Sequence, residues 1–217
     1  MRWLTVFFLT TTCISAVVVL KFFAAGILPN KGAHSINKLS NNKKDENKAT
    51  LLRLKRYANE AKSYTIGNNL NDRHCFLIDM KKASGSKRFY VYDLKHDSIL
   101  QAGMVTHGSG VSNSGDTVLF SNRTGGNCSS LGKYKIGQSY YGKFGLAYKL
   151  HGLNNTNSNA FNRFVVLHAH PCVPDNEIAP LEICKSWGCP TVSPSFLKEL
   201  KGYLDRTNTP VLLWIFQ

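Results

Sequence analysis

The chain has 217 residues, enough for one domain or for one domain with an N-terminal extension. Lys and Arg number 27 against 13 Asp and Glu, a formal net charge of +14. That balance points to a polyanionic partner (nucleic acid, an anionic membrane surface or an acidic wall polymer) and says nothing about fold. Six cysteines are present, at 13, 75, 128, 172, 184 and 189. None forms a C-x-x-C pair, which argues against a thioredoxin-like or zinc-ribbon protein.

In chain order, residues 1–30 read as an export segment, either a signal anchor or a signal peptide. Arg2 precedes an apolar run from Trp3 to Leu20, which just reaches membrane-spanning length. Lys21 interrupts it and Phe22–Leu28 continues it, with Ala24-Ala25-Gly26 as small residues suited to a peptidase. Lys31, Lys38, Lys43 and Lys44 follow the segment, contrary to the positive-inside rule, yet an N-terminal signal before a cysteine-bearing domain is the commoner arrangement. The expected location is the cell envelope, in the periplasm or on the outer face of the cytoplasmic membrane. Residues 31–48, rich in Asn, Lys and Ser, read as a flexible tether. Residues 49–72 are an amphipathic helix and lead-in, with Leu51, Leu52, Leu54, Tyr57 and Ala61 near helical spacing.

Residues 73–217 form the main domain. Cys75–Met80, Phe89–Leu94 and Ile99–Thr106 are short apolar runs separated by polar turns, a β-meander. A Gly-, Ser- and Asn-rich loop from His107 to Ser130 follows; without a GK[ST] it is no phosphate loop and reads as turns or a groove wall. Tyr134–Gln138, Leu146–Leu153 and Arg163–His168 are further strands, the last apolar enough to be buried on both faces. Ser193-Pro194 reads as an N-cap and first residue of a helix whose stripe is Phe196, Leu197, Leu200 and Leu204. Pro210–Phe216 is a closing strand, and no internal repeat occurs.

The chemistry concentrates between Arg163 and Val192. A strand delivers His168, and strand periodicity puts His170 on the same face. About twenty residues later the chain reads Ser186-Trp187-Gly188-Cys189-Pro190. A cysteine nucleophile needs a base and donors for the oxyanion that follows. Either histidine is positioned by sequence to take the Cys189 proton. Gly188 lets a substrate carbonyl approach the backbone. Histidine and cysteine spacing here is irregular for zinc, and the H-x-E with C-x-x-C pattern of deaminases is missing, so no metal and no cofactor is expected.

The Ser186-Trp187-Gly188-Cys189 turn after Leu167-His168 resembles the murein L,D-transpeptidase catalytic domain family, in its YkuD-like branch. Leu77-Ile78-Asp79, Ser129-Ser130-Leu131-Gly132 with Tyr134, Tyr141-Gly142, Leu150 with Gly152-Leu153, and Asn162-Arg163 also resemble its blocks. Trp187 stands where the commoner motif has His, and Pro190-Thr191 where an aliphatic residue and Arg follow the cysteine; these mark a Ser-Trp-Gly-Cys-Pro subgroup. The resemblance implies a mainly β, β-sandwich-like fold with one or two short helices, preceded by the N-terminal apolar helix. It implies Cys189 as nucleophile and His168 as base, with Gly188, Ser186, Trp187, His170 and Arg163 around the oxyanion and substrate groove. The implied substrate is the stem peptide of peptidoglycan, crosslinked through a thioester. The alternatives are L,D-carboxypeptidase trimming by the same site, or a non-catalytic wall-binding module. A monomer tied to the membrane through residues 1–30, with no nucleic-acid partner, is expected. Export leaves an odd thiol count, for which a Cys172–Cys184 disulfide bracing the loop before Ser186 is one resolution; Cys75 with Cys128 is a weaker one.

Overall fold

The computed structural model describes residues 31–110 and 118–217; the expected export segment, 1–30, lies outside them. Two units divide the chain, Met1–Glu46 and Asn47–Gln217. The first is helical over 31–46. Helix α1 runs Lys31–Gly67, so the expected tether is helix instead. Nucleation is the costly step in making a helix, and each added residue then gains one hydrogen bond. A helix fixed by packing at 54–61 therefore extends through a polar stretch rich in Lys and Asn. Among the described residues no helix is long and apolar enough to cross a membrane.

In the second unit α1 buries Thr50, Leu54, Ala58, Ala61 and Thr65, one seam at i, i+4 and i+7 spacing. Leu51 and Leu52, expected on that stripe, are exposed. Ala58 and Ala61 lack bulk and let the helix approach the sheet closely, which places the seam on their side.

Eight strands form one sheet in the order β3-β2-β1-β8-β4-β5-β6-β7. They are β1 (His74–Asp79), β2 (Phe89–Asp93), β3 (Ser98–Gly103), β4 (Gly132–Gly142), β5 (Gly145–Gly152), β6 (Val166–Ala169), β7 (Thr191–Val192) and β8 (Leu212–Phe216). β1 pairs parallel with β8 at the centre, and β6 parallel with β7 at one edge. Alternation along the strands sorts the side chains. Cys75, Leu77, Tyr90, Tyr92, Leu212, Trp214 and Phe216 pack with α1. Phe76, Ile78, Phe89, Val91, Leu213 and Ile215 face the other way. They share a core with Tyr134, Ile136, Tyr148, Leu150 and Leu167 of β4–β6, so the sheet curls until its two halves enclose one interior. That is the mainly β, sandwich-like fold expected, with the strands joined in a single sheet.

Helix α2 (Pro194–Leu204) starts as predicted. Ser193 is extended and its hydroxyl accepts the Phe196 N–H, with Pro194 opening the helix. Phe196, Leu197 and Leu200 cap the core. One strand starts later than its apolar run. Arg163 and Phe164 end a series of turns, closed by Arg163 N–H to Asn159 C=O and Phe164 N–H to Phe161 C=O, both within 3.0 Å. Phe164 has φ of 56° and is 83% exposed. Hydrophobicity alone does not show where such a turn stops, and β6 begins only at Val166.

Candidate active site

The turn at 186–190 is tied down from one side. Residues 106–109 run beside it: Ser186 N–H donates to His107 C=O at 2.9 Å, Ser109 N–H to Ser186 C=O at 2.8 Å, and Thr106 N–H to Thr191 C=O at 2.9 Å. The Ser186 hydroxyl is the hub, set against Cys189 C=O at 2.6 Å while accepting the Gly188 N–H at 3.2 Å. Thr106 adds a hydroxyl donor to the same Cys189 carbonyl at 3.2 Å. Gly188 has φ of 108°, and a Cβ there would lie 2.6 Å from Cys128 C=O. Backbone conformation and space each require glycine. Gly188→Ala should therefore cost about 1–3 kcal/mol and displace the adjoining thiol; thermal melting and the rate of Cys189 alkylation check this, and a variant with wild-type values for both would contradict it.

Cys128 C=O is held in turn by Arg163, whose Nη2 donates to it at 2.6 Å while Nη1 reaches Ser121 C=O at 3.0 Å and Ser130 Oγ at 2.9 Å. Arg163 stitches the 121–130 loop beneath the turn, a placement its predicted strand position would not have permitted.

Cys189 Sγ sits 3.5 Å from the Val166 N–H and 3.8 Å from Phe164 C=O. Burial raises its pKa above the ordinary 9.0, against smaller opposing effects of the Val166 N–H and Arg163. His168 is buried on β6. Its Nδ1 faces Ala169 C=O at 3.1 Å. A carbonyl only accepts, so Nδ1 carries the hydrogen and Nε2 accepts from the Thr191 hydroxyl at 3.0 Å. Burial lowers the His168 pKa, with His170 adding and the Ala169 carbonyl opposing. Thiol and imidazole are thus both neutral at rest and share one cleft, but neither ring nitrogen is hydrogen-bonded to Sγ. The direct pairing suggested by the sequence is replaced by a Thr191 bond.

His170 lies on the same face as His168: Phe144 stacks on His168 at 4.6 Å and meets His170 edge-on at 6.3 Å. His170 is exposed, and its Nδ1 accepts the Cys172 N–H at 3.2 Å. Cys172 is bonded to Cys184 with Cα atoms 6.1 Å apart, closing the loop before Ser186. For a separation of 12 residues the chain-entropy model gives about 3 kcal/mol. Cys172→Ser with Cys184→Ser should lower unfolding stability by about that much in denaturant titration; unaltered stability would count against the brace. Cys75 and Cys128 are free and buried, so the weaker pairing does not form. Cys75 points to the α1 side of β1, whereas the Cys128 thiol donates to Gly126 C=O within its own loop.

The cleft holds about 570 Å³ and is lined by Cys189, His168, His170, Trp187, Phe144 and Thr191, with Lys143 and Lys185 at its edge. Trp187 is 77% exposed at the rim. Among the described residues, no three His, Cys, Asp or Glu side chains converge to hold a metal. Two contributors were missed in sequence. Thr191 was readable as the residue two places beyond Cys189, on the same side of an extended segment. Phe144 was not, because its place depends on the β4–β5 hairpin closing at Gly142 and Gly145.

Behind the turn lies a buried pair. Arg88 donates to Val105 C=O at 3.0 and 2.9 Å, to Lys82 C=O at 3.1 Å and to His107 Nδ1 at 3.0 Å. Burial first, with Arg88 and Lys185 adding, holds His107 at about 4 instead of 6.5. Between these values the unfolded chain binds a proton that the folded chain refuses. Stability is full above pH 6.5 and is lost as pH falls toward about 4, by ~3 kcal/mol in all. His107→Gln should flatten the pH dependence of the melting temperature across this window; an unchanged slope would refute the assignment.

The curled sheet, the strand-borne histidine and the Gly-Cys turn define an L,D-transpeptidase-type catalytic domain. The chain belongs to the L,D-transpeptidase catalytic domain family YkuD_2, which matches residues 42–214. No curated protein matches it by sequence. Among solved structures it is similar to the Ldtfm–avibactam carbamoyl enzyme, with 11% identity and a TM-score of 0.43 over 68% of this chain and 50% of that one. It is also similar to Pgp2, a helical cell shape determining protein of Campylobacter jejuni (12%, 0.41, 67% and 48%). A third is a mutant of the Enterococcus faecium L,D-transpeptidase (11%, 0.41, 66% and 50%). The chain spans about half the length of these proteins. Membership rests on the family match, since likeness at this level is slight.

Proposed function

We propose that the protein is a cysteine L,D-transpeptidase that crosslinks peptidoglycan stem peptides through a thioester. The observation that carries this reading is the shared cleft: a thiol on a constrained Gly-Cys turn and a buried imidazole, both opening on about 570 Å³. Attack begins from neutral partners. The imidazole exchanges its Thr191 bond for the thiol as substrate closes over the cleft, and Nε2 takes the Cys189 proton. Sulfur attacks the carbonyl of the L-centre of a diaminopimelate residue. His168 then returns the proton to the departing D-Ala amine, and the thioester remains. An acceptor amine attacks that thioester, loses its proton to His168 and restores the thiol.

The oxyanion needs a donor, and the Gly188 N–H is engaged with Ser186 Oγ. The Cys189 N–H, which has no hydrogen-bond partner among the described residues, is the donor. Lys143 and Lys185 at the edge suit the carboxylates of the stem peptide. Residues 73–217 are the catalytic domain and 1–30 the export segment that delivers it to the envelope, tied to the membrane. Incubation with purified tetrapeptide muropeptides, followed by chromatography and mass spectrometry, tests the activity. Crosslinked dimers with free D-Ala are expected; tripeptides alone would assign trimming, and untouched tetrapeptide would leave only a wall-binding role.

A further inference from the structure

A second cleft of about 660 Å³ is built from β4, β5, Phe161 and the 204–211 segment. Its floor is a stacked pair, His151 and Phe161, with ring centroids 4.8 Å apart and planes 16° apart. The stack is built in: a Cβ at Gly137 would lie 2.6 Å from His151 Nε2, so glycine at this β-bulge makes room for the ring. Phe161 is 46% exposed, an apolar platform open to solvent. Lys135 and Lys149 stand on the walls, and Asp205, paired with Lys201, supplies a carboxylate. Tyr148 is 4% exposed and lines the same cleft, and its hydroxyl is buried with no hydrogen-bond partner among the described residues. An aromatic platform, hydroxyl and carboxylate acceptors and two cations match a sugar ring bearing an acidic group. The C–H face of the ring lies on the platform, its hydroxyls meet the polar edge, and its carboxylate faces the lysines. Asp205 disfavours a run of phosphates.

Distance ties this cleft to the first. The Lys149 ammonium is 5.8 Å from the Phe161 ring centroid and 5.9 Å from that of Tyr140, a residue of the Cys189 cleft. One side chain separates the two.

We propose that the second cleft binds an acidic saccharide, a peptide-free stretch of the sugar strand of the wall polymer, where the lactyl carboxylates are free because no stem peptide is joined to them. The identity of the polymer rests on the transpeptidase reading; the saccharide chemistry rests on the cleft. The test uses the full chain with Cys189→Ala, so that nothing turns over, titrated calorimetrically with peptide-free glycan strands carrying free lactyl carboxylates. Saturable binding is expected, weakened at least tenfold by Phe161→Ala and by Lys149→Gln. The glutamine variant keeps the first two methylenes and a polar end while removing the charge, so it reads the cation with little change in packing. Wild-type affinity in both variants would overturn the proposal, as would equal affinity for a neutral chitin oligosaccharide or for single-stranded DNA. Acylation of wild-type Cys189 by a sugar-free tetrapeptide is measured in parallel. Variant-sensitive strand binding without acylation supports the cleft and overturns only the activity; acylation with variant-insensitive binding does the reverse.

Discussion

Cys189→Ser should reduce turnover of tetrapeptide muropeptides to background, a loss of at least about 10⁴-fold if the thiol is the nucleophile. Serine keeps the size of the side chain and its contacts with Val166 N–H and Phe164 C=O, so the fold and its melting temperature should be retained. What it removes is the acidity and nucleophilicity of sulfur. Burial already raises the thiol above its usual 9.0; a hydroxyl in the same place is far harder to ionise. Rates measured by release of D-Ala decide the matter, and a serine variant within tenfold of wild type would exclude Cys189 as nucleophile.

His168→Gln is the second large effect, with a loss of about 10²–10⁴-fold expected for removal of a general base. Glutamine retains a donor for Ala169 C=O and an acceptor for the Thr191 hydroxyl, the two bonds that hold the imidazole. The variant thus isolates proton transfer from positioning. Because the wild-type thiol has no imidazolium beside it, its alkylation by iodoacetamide should be slow at neutral pH and rise above pH 9.0, with little change in His168→Gln. A thiol alkylated quickly at pH 6 and slowed by the substitution would instead reveal a preformed ion pair.

Much of the site was legible because local rules act there. Residue spacing set His168 and His170 on one face, and Ser193-Pro194 announced the helix that supports the turn. β-strand alternation in Cys75–Asp79 and Leu212–Phe216 explains how a central pair of strands buries both faces. Three features escaped for one reason: each depends on which distant segment packs alongside. Residues 31–48 are polar, yet they extend a helix whose anchor lies at Leu54, Ala58 and Ala61. Apolarity of Phe164 suggested strand, but the turn from Asn157 continues through it. His168 was matched to Cys189 by motif, whereas its actual partner, Thr191, follows from the register of β6 with β7, in which His168 faces Thr191. Pairing registers between distant strands cannot be read from spacing.

The mechanism turns on a thioester at Cys189, which peptide-level mass spectrometry detects directly in protein quenched in acid within seconds of mixing with tetrapeptide. The mass of the tetrapeptide less D-Ala is expected on the peptide containing Gly188-Cys189 and absent from those containing Cys75 or Cys128. Unmodified Cys189 during active turnover, or the adduct on another residue, would contradict it.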